Sequence, residues 1–133
     1  DLSLFPPKKT PVLISFDGKI TTSDKNLYAP FELVRGQSKD GKTTWQNRLT
    51  KATVDAGGWA DALPSVRFGA FASPSDPAPD AAVLGTLTVG WSDGTETKVK
   101  IGKPDKQNRY RATDGTKDFW INDWALGQLL YKS

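Results

Sequence analysis

The stretch "GQSKDGKT", Gly36 to Thr43, reproduces the phosphate-binding pattern G-x-x-x-x-G-K-[ST], with Gly36, Gly41, Lys42 and Thr43 at its defining positions. In that chemistry, amides at a helix N-terminus cradle the phosphates, the lysine reaches them and the hydroxyl binds magnesium. It needs a helix after Lys42, within a parallel sheet that supplies a second magnesium-binding aspartate. The following "TTWQNRLTKA" fits a helical face through Trp45, Leu49 and Ala52, and an alternating strand through Thr43, Trp45, Asn47 and Leu49. The surrounding hairpin signals favour the strand, and the chain lacks the strand–helix alternation of a nucleotide-binding fold. The expectation is a polar turn, with nucleotide binding by Gly36, Gly41, Lys42 and Thr43 disfavoured.

Paired carboxylates are the next candidates, because they hydrolyse glycosides without histidine. Here the acids have local work to do. Asp17, Asp40, Asp93 and Asp114 stand in Asp-Gly turns, Asp55 and Asp123 at helix starts, and Asp76 and Asp80 in a Pro/Ala loop, while Glu32 and Glu96 are the only glutamates. With no cysteine and no histidine, Ser-His-Asp, Cys-His and zinc chemistry are excluded, as is any disulfide framework. The reading is therefore not an enzyme: no catalytic residue, no metal and no cofactor is assigned.

Charge is more informative. The net charge is +3, but between Ala52 and Thr97 the only cation is Arg67; Lys98, Lys100, Lys103, Lys106, Arg109 and Arg111 then follow with Asp105 as the lone anion. Lys98, Lys100, Arg109 and Arg111 alternate with Val99, Ile101 and Tyr110, so a hairpin would send these cations to one side, together with Trp120. That face, Lys98, Lys100, Arg109, Arg111 and Trp120, is the candidate binding surface. It suits an anionic glycan, an anionic lipid surface or an acidic protein segment. The competing reading is a solvated sheet face on which arginine stems shield the Trp120 ring. Nucleic acid is disfavoured, since a charge of +3 without a reading motif is a weak footprint.

The elements that must position these residues are mostly hairpins. Four Asp-Gly pairs, at 17–18, 40–41, 93–94 and 114–115, separate stretches of alternating apolar and polar residues. Strands are expected at about Pro11–Phe16, Phe31–Arg35, Thr44–Leu49, Gly85–Trp91, Thr95–Ile101, Arg109–Thr113 and Lys117–Ile121. "VDAGGWADALP" predicts a short helix after an Asp55 cap, weakened by Gly57 and Gly58 by about 1 kcal/mol each and limited by Pro64. A last helix, capped by Asn122 or Asp123, is expected to carry Trp124, Leu126, Leu129 and Leu130 through about two turns. "ASPSDPAPDAA" reads as an ordered connection.

Register follows from burial. A three-residue Ser92-Asp93-Gly94 loop pairs Trp91 with Thr95, Val89 with Thr97 and Leu87 with Val99, which leaves Lys98 and Lys100 beside Thr88 and Thr86 on the other face. At Asp114-Gly115 a two-residue turn sets Tyr110 against Phe119, Arg111 against Asp118 and Arg109 against Trp120. Trp120 then faces away from Trp124, which is expected to anchor the terminal helix in the core. The expected core comprises Phe16, Trp45, Trp59, Leu63, Leu87, Val89, Trp91, Val99, Ile101, Tyr110, Phe119, Trp124 and Leu130. The fold class is α+β: an antiparallel β-sheet of hairpins with a short middle helix and a C-terminal helix packed on one face.

The order of "VLISFDG", "PFELVRGQSKDGKTTWQNRLTKATVDAGGWADALPSVRF" and "LGTLTVGWSDGTETKVKIGKPDKQNRYRATDGTKDFWINDWALGQLL" resembles a bacterial domain family of unknown function. That family occurs in membrane-anchored extracytoplasmic proteins encoded beside gliding-motility-type ABC transporters. Its marks are Trp45 before Arg48-Leu49-Thr50, a short helix, a hairpin closing in Ile101-Gly102, and a Tyr-containing strand leading to an apolar helix. The resemblance carries no catalytic residue. It implies a periplasmic or extracellular domain that binds or braces a protein partner at a membrane complex. A carbohydrate-binding module that uses Trp120 and the basic face is the alternative. The 133 residues suit one domain, since domains of roughly 100–150 residues are commonest. With neither an initiator methionine nor a signal peptide, the chain is expected to be excised or processed from a larger, membrane-tethered protein. No apolar run reaches the ~20 residues that a transmembrane helix needs.

Overall fold

Alternation of apolar and polar residues dictates a sheet that is buried on one face, and the computed structural model, which describes residues 1–76 and 82–132, has this architecture. The strands are β1 Pro11–Gly18, β2 Ile20–Thr21, β3 Leu27–Tyr28, β4 Phe31–Gln37, β5 Thr43–Asn47, β6 Ala52–Val54, β7 Ala70–Phe71, β8 Val83–Trp91, β9 Glu96–Pro104, β10 Arg109–Thr113 and β11 Asp118–Asn122. Helix α1 spans Gly57–Ala62 and runs into a 3-10 turn at Leu63–Ser65; a second 3-10 turn, Asp123–Ala125, leads into α2, Leu126–Leu129. Nine strands pair in the order β6-β5-β4-β1-β8-β9-β10-β11-β7, antiparallel throughout, while β2 and β3 form a separate ribbon. The antiparallel sheet with two short helices, one of them C-terminal, matches the α+β expectation. Among the described residues no helix is long and apolar enough to cross a membrane.

The alternate residues Ile14, Phe16, Phe31, Leu33, Leu87, Val89, Val99, Ile101, Tyr110, Phe119 and Ile121 are buried in one cluster. Leu4 and Phe5 from the N-terminal segment, Ala60 and Leu63 from the α1 region, and Leu126, Leu129 and Leu130 from the end of the chain join it. Of the expected core, Trp59 is only partly buried and Trp124 is not buried at all.

Three local expectations are corrected. Asp17-Gly18 is not a turn: β1 continues through it, with Asp17 opposite Thr86 and Gly18 opposite Gly85. Glycine serves close approach here, since a Cβ on Gly18 would lie 2.3 Å from the Gly85 Cα and 2.5 Å from the Leu84 carbonyl oxygen. The chain instead reverses at Thr22–Asn26, where the Thr22 N–H donates to the Asn26 carbonyl at 2.9 Å. Asp55 does not cap α1, whose N-cap is Ala56 with no side-chain bond, and Asn122 caps the terminal 3-10 turn through no side chain either. The last helix is a 3-10 turn followed by a single α turn rather than two α turns. Within the Pro/Ala connection, residues 77–81, including Asp80, lie outside the described residues.

The Gly18–Gly85 crossing makes a test. Gly18→Ala should lower stability by about 1–3 kcal/mol, because the added methyl meets backbone on two sides. Urea denaturation with an unchanged slope reads the loss; an unshifted midpoint would mean that the two strands do not approach this closely.

Candidate functional site

The basic face is built by two hairpin connections. Between β8 and β9, the Trp91 N–H donates to the Thr95 carbonyl at 2.9 Å, and Gly94 takes φ +86°. The Asp93 carboxylate accepts from the Thr95 N–H at 3.0 Å and from its hydroxyl at 2.6 Å, with Lys9 Nζ at 3.0 Å. These bonds, the Thr95 hydroxyl first, hold Asp93 well below the usual carboxylate range. The three-residue loop thus sets Lys98 opposite Thr88 and Lys100 opposite Thr86, as the burial argument requires.

The second connection is longer than expected. Thr113 pairs with Asp118, so Asp114 to Lys117 form a four-residue loop. The Asp114 carboxylate explains it, accepting from the Thr116 and Lys117 N–H groups at 2.9 Å each and from Lys117 Nζ at 2.6 Å. Relative to the two-residue turn the register slips by two. Tyr110 meets Ile121, Arg111 meets Trp120 and Arg109 meets Asn122. Because side chains alternate with period 2, this slip changes partners and preserves faces. On β9 a bulge between Ile101 and Pro104 absorbs one extra residue before β10.

Lys98, Lys100, Arg109, Arg111 and Trp120 therefore share the outer face, but their roles differ. The guanidinium carbon of Arg109 lies 4.7 Å from the Trp120 ring centroid and that of Arg111 lies 5.7 Å away. The indole Nε1 donates to Asp76 Oδ2 at 3.3 Å. Arg109 is tied to Asp105 through Nε at 2.9 Å and Nη2 at 2.7 Å, and Arg111 Nη2 reaches Asp118 at 3.3 Å. Asp76 is held below its ordinary pKa, chiefly by the Ser73 N–H and then by the indole. For Asp105, burial pushes upward, but the Arg109 amide and guanidinium outweigh it and the net shift is downward. Only 8% of Trp120 is exposed. The expectation of an outward indole flanked by arginines is thus corrected: the cations cover the ring, which closes it as a platform for a partner or a glycan. Lys98 and Lys100 remain outward, beside a cavity of about 160 Å³ lined also by Thr113, Asp114 and Gly115.

The Gly36–Thr43 stretch is the β4–β5 hairpin. Gly36 lies in β4 opposite Thr44, the Ser38 N–H donates to the Lys42 carbonyl at 2.9 Å, and Gly41 takes φ +82°. Thr43 opens a strand, its hydroxyl accepts from Arg35 at 3.3 Å, and the Lys42 side chain is 82% exposed. No helix N-terminus follows Lys42 to hold a phosphate. Among the described residues, no three His, Cys, Asp or Glu side chains converge as a metal site would require.

Sequence reasoning missed Trp124, which is 74% exposed and stands on a firmly placed segment. Ala125, Leu126, Leu129 and Leu130 turn into the core, and Ser23 donates through its N–H and hydroxyl to the Asp123 carboxylate. The signal was present: at 100° per residue, Trp124 lies 200° from Leu126 and well off the leucine stripe. Gly127 and Gln128, in the α turn that follows, are exposed as well. They also line a groove of about 370 Å³ whose other walls are Trp59, Ala62, Ser65 and Val66. Behind this segment, burial and the nearby Asp123 carboxylate push the Tyr110 phenol up to about 12.

No family model matches the chain, and no curated protein and no solved structure matches it either.

The two tryptophans should respond in opposite ways. Trp120→Ala is expected to cost about 3 kcal/mol, as for other covered aromatics, and Trp124→Ala to change stability by no more than about 0.5 kcal/mol; chemical denaturation of the two variants checks the order. Alkaline titration gives a second test. A phenol whose folded pKa is raised contributes stability that is complete below pH ~10 and lost as pH rises toward ~12. Tyr110→Phe should therefore flatten the fall of the denaturation midpoint between those pH values, and an unchanged profile would contradict the buried phenol.

Proposed function

We propose that this chain is a non-catalytic binding or assembly domain that works outside the cytoplasm. Its parent protein is tethered to a membrane, where the domain serves as an accessory of a transport complex. Its docking surface is the outer face of β9 and β10, and its partner is an acidic segment of another protein. The observation that carries this reading is the pair Lys98 and Lys100, exposed two residues apart on one strand face. Their stems stand about 6.6 Å apart along the strand, the repeat at which an extended chain presents alternate side chains. Glu96 stands on the same strand face, 3.8 Å from Lys98 Nζ, so an extended segment with acidic residues at alternate positions would meet Lys100 directly and replace Glu96 at Lys98.

Arg109, Arg111 and Trp120 serve this surface as its support. Each arginine has a carboxylate partner and lies against the indole, so neither needs to reorder when a ligand arrives. Preorganised charge of this kind speeds encounter and fixes register more than it adds affinity.

The test is fluorescence anisotropy with a labelled peptide carrying glutamate at alternate positions. Binding should weaken steeply as salt rises, since the charges are solvent-exposed. It should disappear in the Lys98→Glu, Lys100→Glu double variant, with a thermal midpoint within a few degrees of the parent. Undiminished binding by the double variant would remove this face from consideration.

A further inference from the structure

Alternation also charges the outer face of the sheet unequally. On β1, β4, β8 and β9 every second residue goes to the core, so those between them face out. Strand pairing sets four of these in a row: Glu32 on β4 lies opposite Ser15 on β1, Ser15 opposite Thr88 on β8, and Thr88 opposite Lys98 on β9. The next row runs from Asp17 through Thr86 to Lys100. Both rows are acidic at one end and basic at the other, with small hydroxyl side chains between. Glu32 and Lys98 stand three strand spacings apart, about 14 Å. Among the described residues neither the Asp17 nor the Glu32 carboxylate enters an ion pair. With Pro30 and the exposed Leu49 they line a cleft of about 340 Å³. That lining fits a lysine side chain, whose stem covers carbon while its ammonium meets the acids.

We propose that this face pairs with a second copy of itself. A half-turn about an axis that runs along the strands, midway between β1 and β8, lays Lys98 of each copy over Glu32 of the other and brings Lys100 to the cleft beside Asp17 and Glu32. Ser15 then meets Thr88 at the centre, where small side chains let two sheets approach to about 10 Å with strand directions within about 30° of each other. The contact is isologous, so each ion pair forms twice. A two-fold axis across the strands would instead set acid on acid and base on base, which like-charge repulsion opposes. Glu96 is already met by Lys98 of its own chain at 3.8 Å and needs no cation from the other copy. The inference rests on Lys98 and Lys100 being docking cations, as proposed above, and adds regulation to that reading: a self-paired face is closed to the acidic segment until the copies separate.

Sedimentation equilibrium at low salt, with protein concentrations up to about 1 mM, tests the assignment. The parent should form a dimer that dissociates on dilution and as salt rises. The Asp17→Lys, Glu32→Lys variant and the Lys98→Glu, Lys100→Glu variant should each self-associate about tenfold or more weakly, with thermal midpoints within a few degrees of the parent. Mixed in equal amounts, the two variants should form a heterodimer, since every pair across the axis is again of opposite sign. The Asp17→Lys, Glu32→Lys variant keeps both docking lysines and should still bind the acidic peptide, so loss of self-pairing and loss of peptide binding are read separately. Three outcomes would overturn the proposal: a parent that stays monomeric at the highest concentration, a dimer indifferent to both double variants, or two variants that do not pair when mixed.

Discussion

Strand alternation leaves β11 with an indole on the wrong side of the sheet. Phe119 and Ile121 must face the core, so Trp120, between them, must face out. The outer face of β10 supplies the cover, because Arg109 and Arg111 alternate about the buried Tyr110 in the same way. A cation over an indole is worth about 0.5–1 kcal/mol in the open and about 2 when desolvated. Surface ion pairs such as Arg109–Asp105 add about 0–1 each. Individually modest, these contacts converge on one ring. They tie together β10, β11, the turn that begins at Asp105 and the segment through Asp76, and beside them Lys98 and Lys100 stay outward.

The same logic of periods places the other tryptophan. Where β11 ends, the repeat changes from two residues to between three and four, and the buried positions become Ala125, Leu126, Leu129 and Leu130. Trp124 falls outside that set. Asp123, immediately before it, is held by Ser23, so the exposed indole has a fixed base. One indole is thus covered by the chain's own cations and the other is left in water, four residues apart in sequence and on different kinds of structure.

Much of the sheet was legible because alternation along β8 and β9 admits one burial-consistent pairing, and the Ser92–Gly94 loop follows from it. The β10–β11 faces were legible for the same reason, although the partners were not. Alternation fixes a face but not a register, and the Asp114 carboxylate closed a longer loop than an Asp-Gly pair suggests. Asp17-Gly18 misled because the same dipeptide serves a turn or a close strand crossing, and only the distant Gly85 distinguishes them. Trp124 was misplaced by residue type, since a large aromatic near leucines reads as core unless its angle to them is worked out. The Gly36–Thr43 stretch was legible as a hairpin turn from its context: a phosphate loop is defined by the helix after it, and here a strand follows.

Incorporation of 5-fluorotryptophan gives five resonances, one for each tryptophan, each assignable by single substitution to phenylalanine. The fluorine shift on exchange from water to deuterium oxide then reports solvent contact at each ring. The largest solvent shift is expected at Trp124 and almost none at Trp120, with the Trp120 signal moving toward the solvent-exposed response in Arg109→Ala. Comparable solvent shifts at the two rings, or a Trp120 signal indifferent to the loss of Arg109, would contradict it.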